Sequence, residues 1–204
     1  IEIKLKLYKT LVMKKEKDPK IIYQDLKERI EKLPDYQKNW RYLNFIGLNN
    51  AFLISNWEKG EKPPQNLWEQ HQEYLDLAKS QHDRRHLVMA IHRSAIISNR
   101  LEDVEKGASF LEELSEAIKD CEKCATKRGK QADWIRFHEQ KLYHLFLTGQ
   151  KEEAVEVADE LVGYPHWPSA KRTDDYLYIR DMCMKNAWEN EAVDKHRLWG
   201  RLWY

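Results

Sequence analysis

The sequence predicts an all-α protein, and three observations lead to this fold class. Apolar residues recur at three- and four-residue intervals through most of the chain, which is the spacing of one face of an α-helix. Glycine and proline are few, with seven and six among 204 residues, and they stand mainly between the periodic segments. The helix formers Leu, Glu, Lys and Ala dominate. We therefore predict one domain over residues 1–204, long enough for about five helical pairs.

The first half of the chain is predicted to form five helices. Residues 1–17 begin with a strand-like alternation but also fit a helix, and we choose the helix because no second alternating segment could pair with a strand. Asp18 and Pro19 suit the N-cap and first turn of the next helix, which stops at Pro34. The remaining predicted helices of this half cover 35–57, about 64–80, and a segment that ends at Asn99.

The second half opens with the clearest amphipathic run, over 101–125, and continues with a helical hairpin. The first helix of the hairpin ends at Gly149, because glycine readily adopts the left-handed conformation of a helix C-terminus, and the second runs from Glu152 to Gly163. Their predicted packing residues are Trp134, His138, Leu142, Leu145 and Phe146 on the first helix, and Ala154, Val157 or Ala158, and Leu161 on the second. Two more helices are predicted near 169–187 and from about Asn190.

The turn of this hairpin carries a resemblance to a known family. It reads Gly149-Gln150-Lys151-Glu152-Glu153-Ala154-Val155 and resembles the turn of a tetratricopeptide repeat (TPR), in which Gly closes the first helix and a small Ala lets the second approach closely. A related pattern, Trp188-Glu189-Asn190-Glu191-Ala192-Val193, follows 38 residues later. The resemblance implies antiparallel helical hairpins stacked as a degenerate TPR-like α-solenoid. A generic helical bundle is the alternative.

If the chain is such an array, the resemblance implies a concave groove lined by the first helices of the hairpins, which binds a protein or a peptide. The residues expected to face this groove are Arg136, Glu139, Gln140 and Tyr143, because they lie on the side of their helix opposite Leu142 and Leu145. On the helix 38 residues later, the residues expected to face the groove are Asp174, Leu177, Asp181 and Lys185, of which the first three correspond to Arg136, Glu139 and Tyr143. We therefore predict a non-catalytic scaffold, adaptor or regulatory subunit.

A different class of function would use His82, Asp83 and His86. Two imidazoles four residues apart fall on one helical face, a spacing that can ligate zinc, and His82-Asp83 also resembles the metal-binding pair of HD-type phosphohydrolases. However, metalloproteases carry Glu after the first His, and the adjacent Arg84 and Arg85 would repel a divalent cation. We therefore predict no catalysis, no metal and no cofactor, and keep a metal-dependent hydrolase as the alternative.

Charge and cysteine content limit the possible partners and the possible cellular compartment. Lys plus Arg (35) nearly balance Asp plus Glu (34), so no overall field attracts nucleic acid or an anionic membrane, and neither is predicted as a partner. No apolar run approaches the roughly 18 residues that a transmembrane helix needs. The cysteines are Cys121, Cys124 and Cys183, an odd and sparse set that favours a reducing compartment, and we predict a cytoplasmic location.

The end of the chain suggests a further contact. Leu198, Trp199, Leu202 and Trp203 stand at helical spacing, so they either cap the array or dock on a second copy by self-association through Trp199 and Trp203. Within the non-catalytic class, a toxin-neutralising immunity or antitoxin protein is a second hypothesis, because small helical proteins often occlude toxins.

Overall fold

The computed structural model describes residues 19–55, 57, 62–121, 127–164 and 170–185. Within these ranges the chain forms eight α-helices and no strand, which confirms the predicted all-α class. The helices are α1 (Pro19–Glu31), α2 (Trp40–Ser55), α3 (Leu67–Ser80), α4 (Arg84–Arg100), α5 (Val104–Cys121), α6 (Lys127–Leu147), α7 (Lys151–Gly163) and α8 (Ala170–Met184).

The helix boundaries follow the sequence signals, with two corrections. Helix α2 begins at Trp40 and not at Asp35, because Asp35 has a left-handed φ of 49° and a 3-10 turn at Tyr36–Lys38 comes first. Helix α3 likewise begins after Asn66, whose φ is 65°. The helices predicted over 1–17 and from residue 190, the repeat-like pattern at 188–193, and the terminal residues Trp199 and Trp203 lie outside the described residues.

The chain divides into two compact units, Ile1–Ala90 and Ile91–Tyr204, and the division falls inside α4. The single domain over 1–204 stays a prediction.

In the first unit, α2 and α3 are held together by hydrogen bonds between polar side chains. The Asn49 amide donates to Gln70 at 2.6 Å, and the Tyr42 hydroxyl donates to Glu73 at 2.7 Å. Asn50 and His71 are both fully buried and lie 3.2 Å apart through Oδ1 and Nδ1. An apolar core accompanies these pairs and includes Leu26, Ile30, Leu43, Phe45, Ile54 and Leu75. Because buried polar groups are costly unless they are bonded, these pairs fix how α2 lies against α3.

In the second unit, each helix from α5 to α8 packs against the next one along the chain. The predicted apolar positions of α7 are confirmed: Ala154, Val157, Ala158 and Leu161 are all buried. Helices α6 and α8 contribute most of the other side chains of the core, namely Ile135, Leu142, Tyr143, Leu145, Phe146, Tyr176, Ile179, Met182 and Cys183. The small side chains of Ala154 and Ala158 let α7 lie close to its neighbours.

Alternate helices of the second unit also touch, through polar groups. The Asn99 amide of α4 donates to Gln140 Oε1 of α6 at 3.0 Å, and the Tyr176 hydroxyl of α8 donates to Glu139 of α6. Helix α6 therefore has neighbours on several sides: α5 and α7 along the chain, and α4 and α8 through these two bonds.

Candidate functional site

The residues proposed for metal chemistry take part in a helix turn. His82 follows α3 with a left-handed φ of 51°, and its side chain is exposed. The Asp83 carboxylate accepts a hydrogen bond from the backbone N–H of His86 at 3.0 Å, which is the bond of a helix N-cap. His86 Nδ1 is hydrogen-bonded to the Tyr74 hydroxyl at 2.9 Å. The Asp83 carboxylate therefore caps α4, and one ring nitrogen of His86 is bonded to α3.

The same turn recurs between α4 and α5 without any histidine. Glu102 has a left-handed φ of 58°, and Asp103 accepts from the backbone N–H of Lys106 at 3.2 Å and pairs with its ammonium at 2.9 Å. These bonds with Lys106 hold the pKa of Asp103 below its ordinary value. Since an Asp after a left-handed residue caps both helices, the turn accounts for Asp83 without a metal. Among the described side chains, no three His, Cys, Asp or Glu lie close enough together to hold a metal ion.

The four residues of α6 that were predicted to line a groove are mostly inside the second unit. Glu139, Gln140 and Tyr143 are 2%, 1% and 5% exposed, so the expectation that they face an open groove is wrong at these three positions. Arg136 is half-buried and forms an ion pair with Asp133 at 2.5 Å, one turn earlier on the same helix. The role of these residues in partner binding stays a prediction, but three of them offer a partner no accessible side chain.

The physical reason is the position of α6 between other helices. Glu139 and Gln140 are on the side opposite Leu142 and Leu145, as predicted, but that side contacts α8 and α4 and not solvent. A helix with two buried faces has apolar residues around much of its circumference, and Ile135 and Tyr143 lie off the predicted stripe. This spread of apolar residues was the sequence signal that could have indicated burial.

On α8 the predicted residues have a different environment. Asp174, Asp181 and Lys185 are exposed, and Leu177 is half-buried. They lie on the side of α8 opposite the buried residues Tyr176, Ile179 and Cys183. Met184, which the sequence reasoning missed, lies on the same side and is 67% exposed, the highest value among the large hydrophobic residues that the structure describes. We call these five residues, Asp174, Leu177, Asp181, Met184 and Lys185, the outer face of α8.

A close approach of three helices that the sequence did not predict lies at Gly107 of α5. A Cβ atom at this position would lie 3.1 Å from both Asn99 Oδ1 of α4 and His144 Nδ1 of α6. An alanine here would require Asn99 or His144 to shift by a few tenths of an ångström. Burial lowers the pKa of His144, which favours the neutral imidazole here. Helices α4, α5 and α6 therefore lie close together at this point.

At the opposite side of α6, Trp134 is sandwiched in a three-ring stack. The rings of His138 and Tyr164 lie 3.7 Å and 4.0 Å from the Trp134 ring, nearly parallel to it. His138 Nδ1 is hydrogen-bonded to the carbonyl of Trp134 at 2.8 Å, and its Nε2 lies 3.7 Å from Glu160 of α7. Burial lowers the pKa of His138, and Glu160 partly opposes this shift. The stack joins the start of α6 to the end of α7.

Cys183 offers little reactivity. Cys183 is buried against the core, and burial raises the pKa of its thiol to about 11, so the thiolate that reacts with oxidants or metals is disfavoured. Cys124 lies outside the described residues.

Comparison of the chain with models of protein families, with curated proteins and with solved structures finds no match. Among the helices that the structure describes, none combines the length and the apolar character needed to cross a membrane.

Proposed function

We propose that this chain is a non-catalytic protein-binding module, and that the outer face of α8 is the surface that contacts the partner. The observation that carries the proposal is the exposure of Asp174, Asp181 and Lys185 around the exposed side chain of Met184. Methionine is common at binding surfaces because its flexible side chain adapts to different contacts. A rim of charged residues around an apolar centre is the usual composition of a transient interface.

Bonds within the second unit hold α8 in place, and with it the outer face. Helix α8 is bonded to α6 through Tyr176 and Glu139, and α6 is bonded to α4 through Gln140 and Asn99. In this proposal α4, α6 and α8 are the first helices of successive hairpins lying side by side, and α5 and α7 are second helices, as in a degenerate TPR-like solenoid. The face of α8 is then the exposed counterpart of the face that α6 buries against its neighbours.

The test is a capture experiment with two matched charge reversals. Three immobilised proteins are compared: the wild type, the α8 variant Asp174→Lys/Asp181→Lys and the α5 variant Glu112→Lys/Glu116→Lys. The proteins that each one captures are identified by mass spectrometry. All four residues are exposed, and both variants change the net charge by the same amount, so nonspecific charge effects are equal. We expect a partner that the wild type and the α5 variant retain and the α8 variant loses. Equal capture by all three proteins, or no reproducible capture, would refute the proposal.

A further inference from the structure

The outer face of α8 has apolar residues at a spacing that suits a helical ligand. Leu177 and Met184 are seven residues apart, so they lie one above the other, two turns apart. The neighbouring core residues Tyr176, Ile179 and Cys183 point to the other side and are fully occupied by packing within the second unit. A helix that is laid along α8 with apolar residues one heptad apart could cover Leu177 and Met184 together.

Acidic residues outnumber basic ones on α8 and α7 near this apolar pair, although Lys185 lies on the outer face of α8. Asp174 and Asp181 stand on α8 itself, and the exposed side of the adjacent helix α7 carries five carboxylates: Glu152, Glu153, Glu156, Asp159 and Glu160. The two helices lie beside each other with Arg180 bonded to Asp159 at 3.0 Å and to Asp181 at 3.5 Å. The C-terminal end of α8, where Met184 lies, is near the start of α7, since the charges of Lys151 and Glu152 act on Cys183.

Some carboxylates of α7 stand at spacings at which like charges repel. Glu156 lies three or four residues from Glu152, Glu153 and Glu160, and like charges at this spacing repel. Helix α1 shows the opposite arrangement, because its exposed charges form ion pairs between Arg29 and Asp25 at 2.7 Å and between Lys27 and Glu31 at 3.7 Å. Cations supplied by a partner would relieve the repulsion on α7.

We propose that the outer face of α8, with the exposed side of α7 beside it, binds a basic amphipathic helix of a partner protein. This inference rests on the proposed function and adds the chemistry of the partner. The apolar residues of the ligand contact Leu177 and Met184, and its Lys or Arg residues face Asp174 and the carboxylates of α7. This mode of recognition, in which an amphipathic helix lies on an apolar strip with a charged rim, is common in proteins. Opposite charges on the two surfaces speed association and select against acidic helices.

The test uses synthetic helical peptides of about two heptads. One peptide has Leu at the heptad positions and Lys at the flanking positions, a second has Glu in place of Lys, and a third has the Lys peptide's composition in scrambled order. Binding of each labelled peptide to the full chain is measured by fluorescence anisotropy at low and high salt. We expect the Lys peptide to bind, with weaker binding at high salt, and the other two peptides to bind at least about tenfold more weakly.

Variants then locate the binding site. We expect Met184→Ser and Asp174→Lys each to weaken binding of the Lys peptide about tenfold, whereas Glu112→Lys/Glu116→Lys on α5 changes it less than about twofold. Circular dichroism of each variant checks that the helices are retained. The inference would be overturned if the Glu and Lys peptides bound equally well, or if the α5 control weakened binding of the Lys peptide as much as the α8 variants do. If no peptide binds but the α8 variant still loses a captured partner, the partner chemistry is wrong and the proposed function stands. If neither occurs, both are wrong.

Discussion

Helices α6 and α8 were given the same role by the sequence, and the structure places them in opposite environments. Three of their predicted interface residues are related by a shift of 38 positions: Arg136, Glu139 and Tyr143 of α6 correspond to Asp174, Leu177 and Asp181 of α8. On α6, Glu139 and Gln140 are buried and bonded to neighbouring helices, whereas Asp174 and Asp181 of α8 are exposed. The difference shows that the position of a helix among its neighbours decides whether a polar side chain becomes an internal contact or a surface for a partner.

The largest expected effect comes from truncating a buried side chain of α6. Tyr143 is 5% exposed and belongs to the core of the second unit, so Tyr143→Ala is expected to destabilise the protein by about 3–5 kcal/mol. The matched change on α8, Asp181→Ala, is expected to alter stability by less than about 0.5 kcal/mol, since Asp181 is exposed. Urea unfolding followed by circular dichroism measures both. Equal small effects would mean that Tyr143 is a surface residue, as the groove hypothesis required.

The next effect concerns the hydrogen bond between Tyr176 of α8 and Glu139 of α6. Tyr176→Phe removes the hydroxyl that donates to Glu139, and it leaves a buried carboxylate with one bond fewer, so we expect a loss of about 1–3 kcal/mol. If the bond joins α6 to α8, Glu139→Gln in the Tyr176→Phe background should cost less than Glu139→Gln alone. A double-mutant cycle of unfolding free energies measures this coupling. Strictly additive effects would show that the two residues do not act together.

Much of this fold could be predicted from the sequence, and the errors have a common cause. The spacing of Ala154, Val157, Ala158 and Leu161 correctly gave the buried side of α7, because that helix has one buried and one exposed side. The same reasoning failed at Glu139, because polar residues on the second side of α6 are buried by long-range contacts that local spacing does not encode.

The candidate site was predictable in part for a similar reason. A shift of 38 positions from Arg136 and Tyr143 predicts Asp174 and Asp181, which are exposed together with Lys185 because Tyr176, Ile179 and Cys183 fill the other side of α8. The exposure of Met184 could not be predicted, since an apolar residue near a helix end fits either a core or a surface. His82 and Asp83 led to the alternative of a metal-dependent hydrolase because a helix cap and a metal ligand use the same carboxylate.

A smaller effect tests how closely α6 approaches its other neighbours. Gly107→Ala places a Cβ 3.1 Å from Asn99 Oδ1 and His144 Nδ1, and the buried Asn99 has little room to move, so we expect a net loss of about 1–2 kcal/mol despite the better helix propensity of Ala. Gly163→Ala is the control, because no atom lies within 4 Å of the added methyl group, and it should be neutral or stabilising by up to about 1 kcal/mol. Thermal unfolding compares the two. Equal stabilisation by both would contradict the close contact at Gly107.

The smallest effect is a pH dependence at the side of α6 that faces α7. Burial holds the pKa of folded His138 below its value in the unfolded chain, which is about 6.5. The His138 imidazole therefore takes up a proton less readily in the folded protein than in the unfolded chain. The stability that His138 contributes is complete above the unfolded pKa and is lost progressively as the pH falls below about 6.5. Glu160 on α7 opposes the shift and Lys141 on α6 adds to it, so Glu160→Gln should steepen the loss.

The measurement is the melting temperature at about pH 7.5 and about pH 5 for the wild type, His138→Gln and Glu160→Gln. The quantity to compare is the difference between the two pH values within each protein, because His138→Gln also removes a ring from the stack on Trp134 and lowers stability at every pH. We expect a smaller pH difference in His138→Gln than in the wild type. Burial also lowers the pKa of His144, so part of the pH difference in melting temperature remains in His138→Gln. A pH difference that is unchanged in His138→Gln would mean that this imidazole is as accessible to protons in the folded protein as in the unfolded chain, and α6 would then be open on that side.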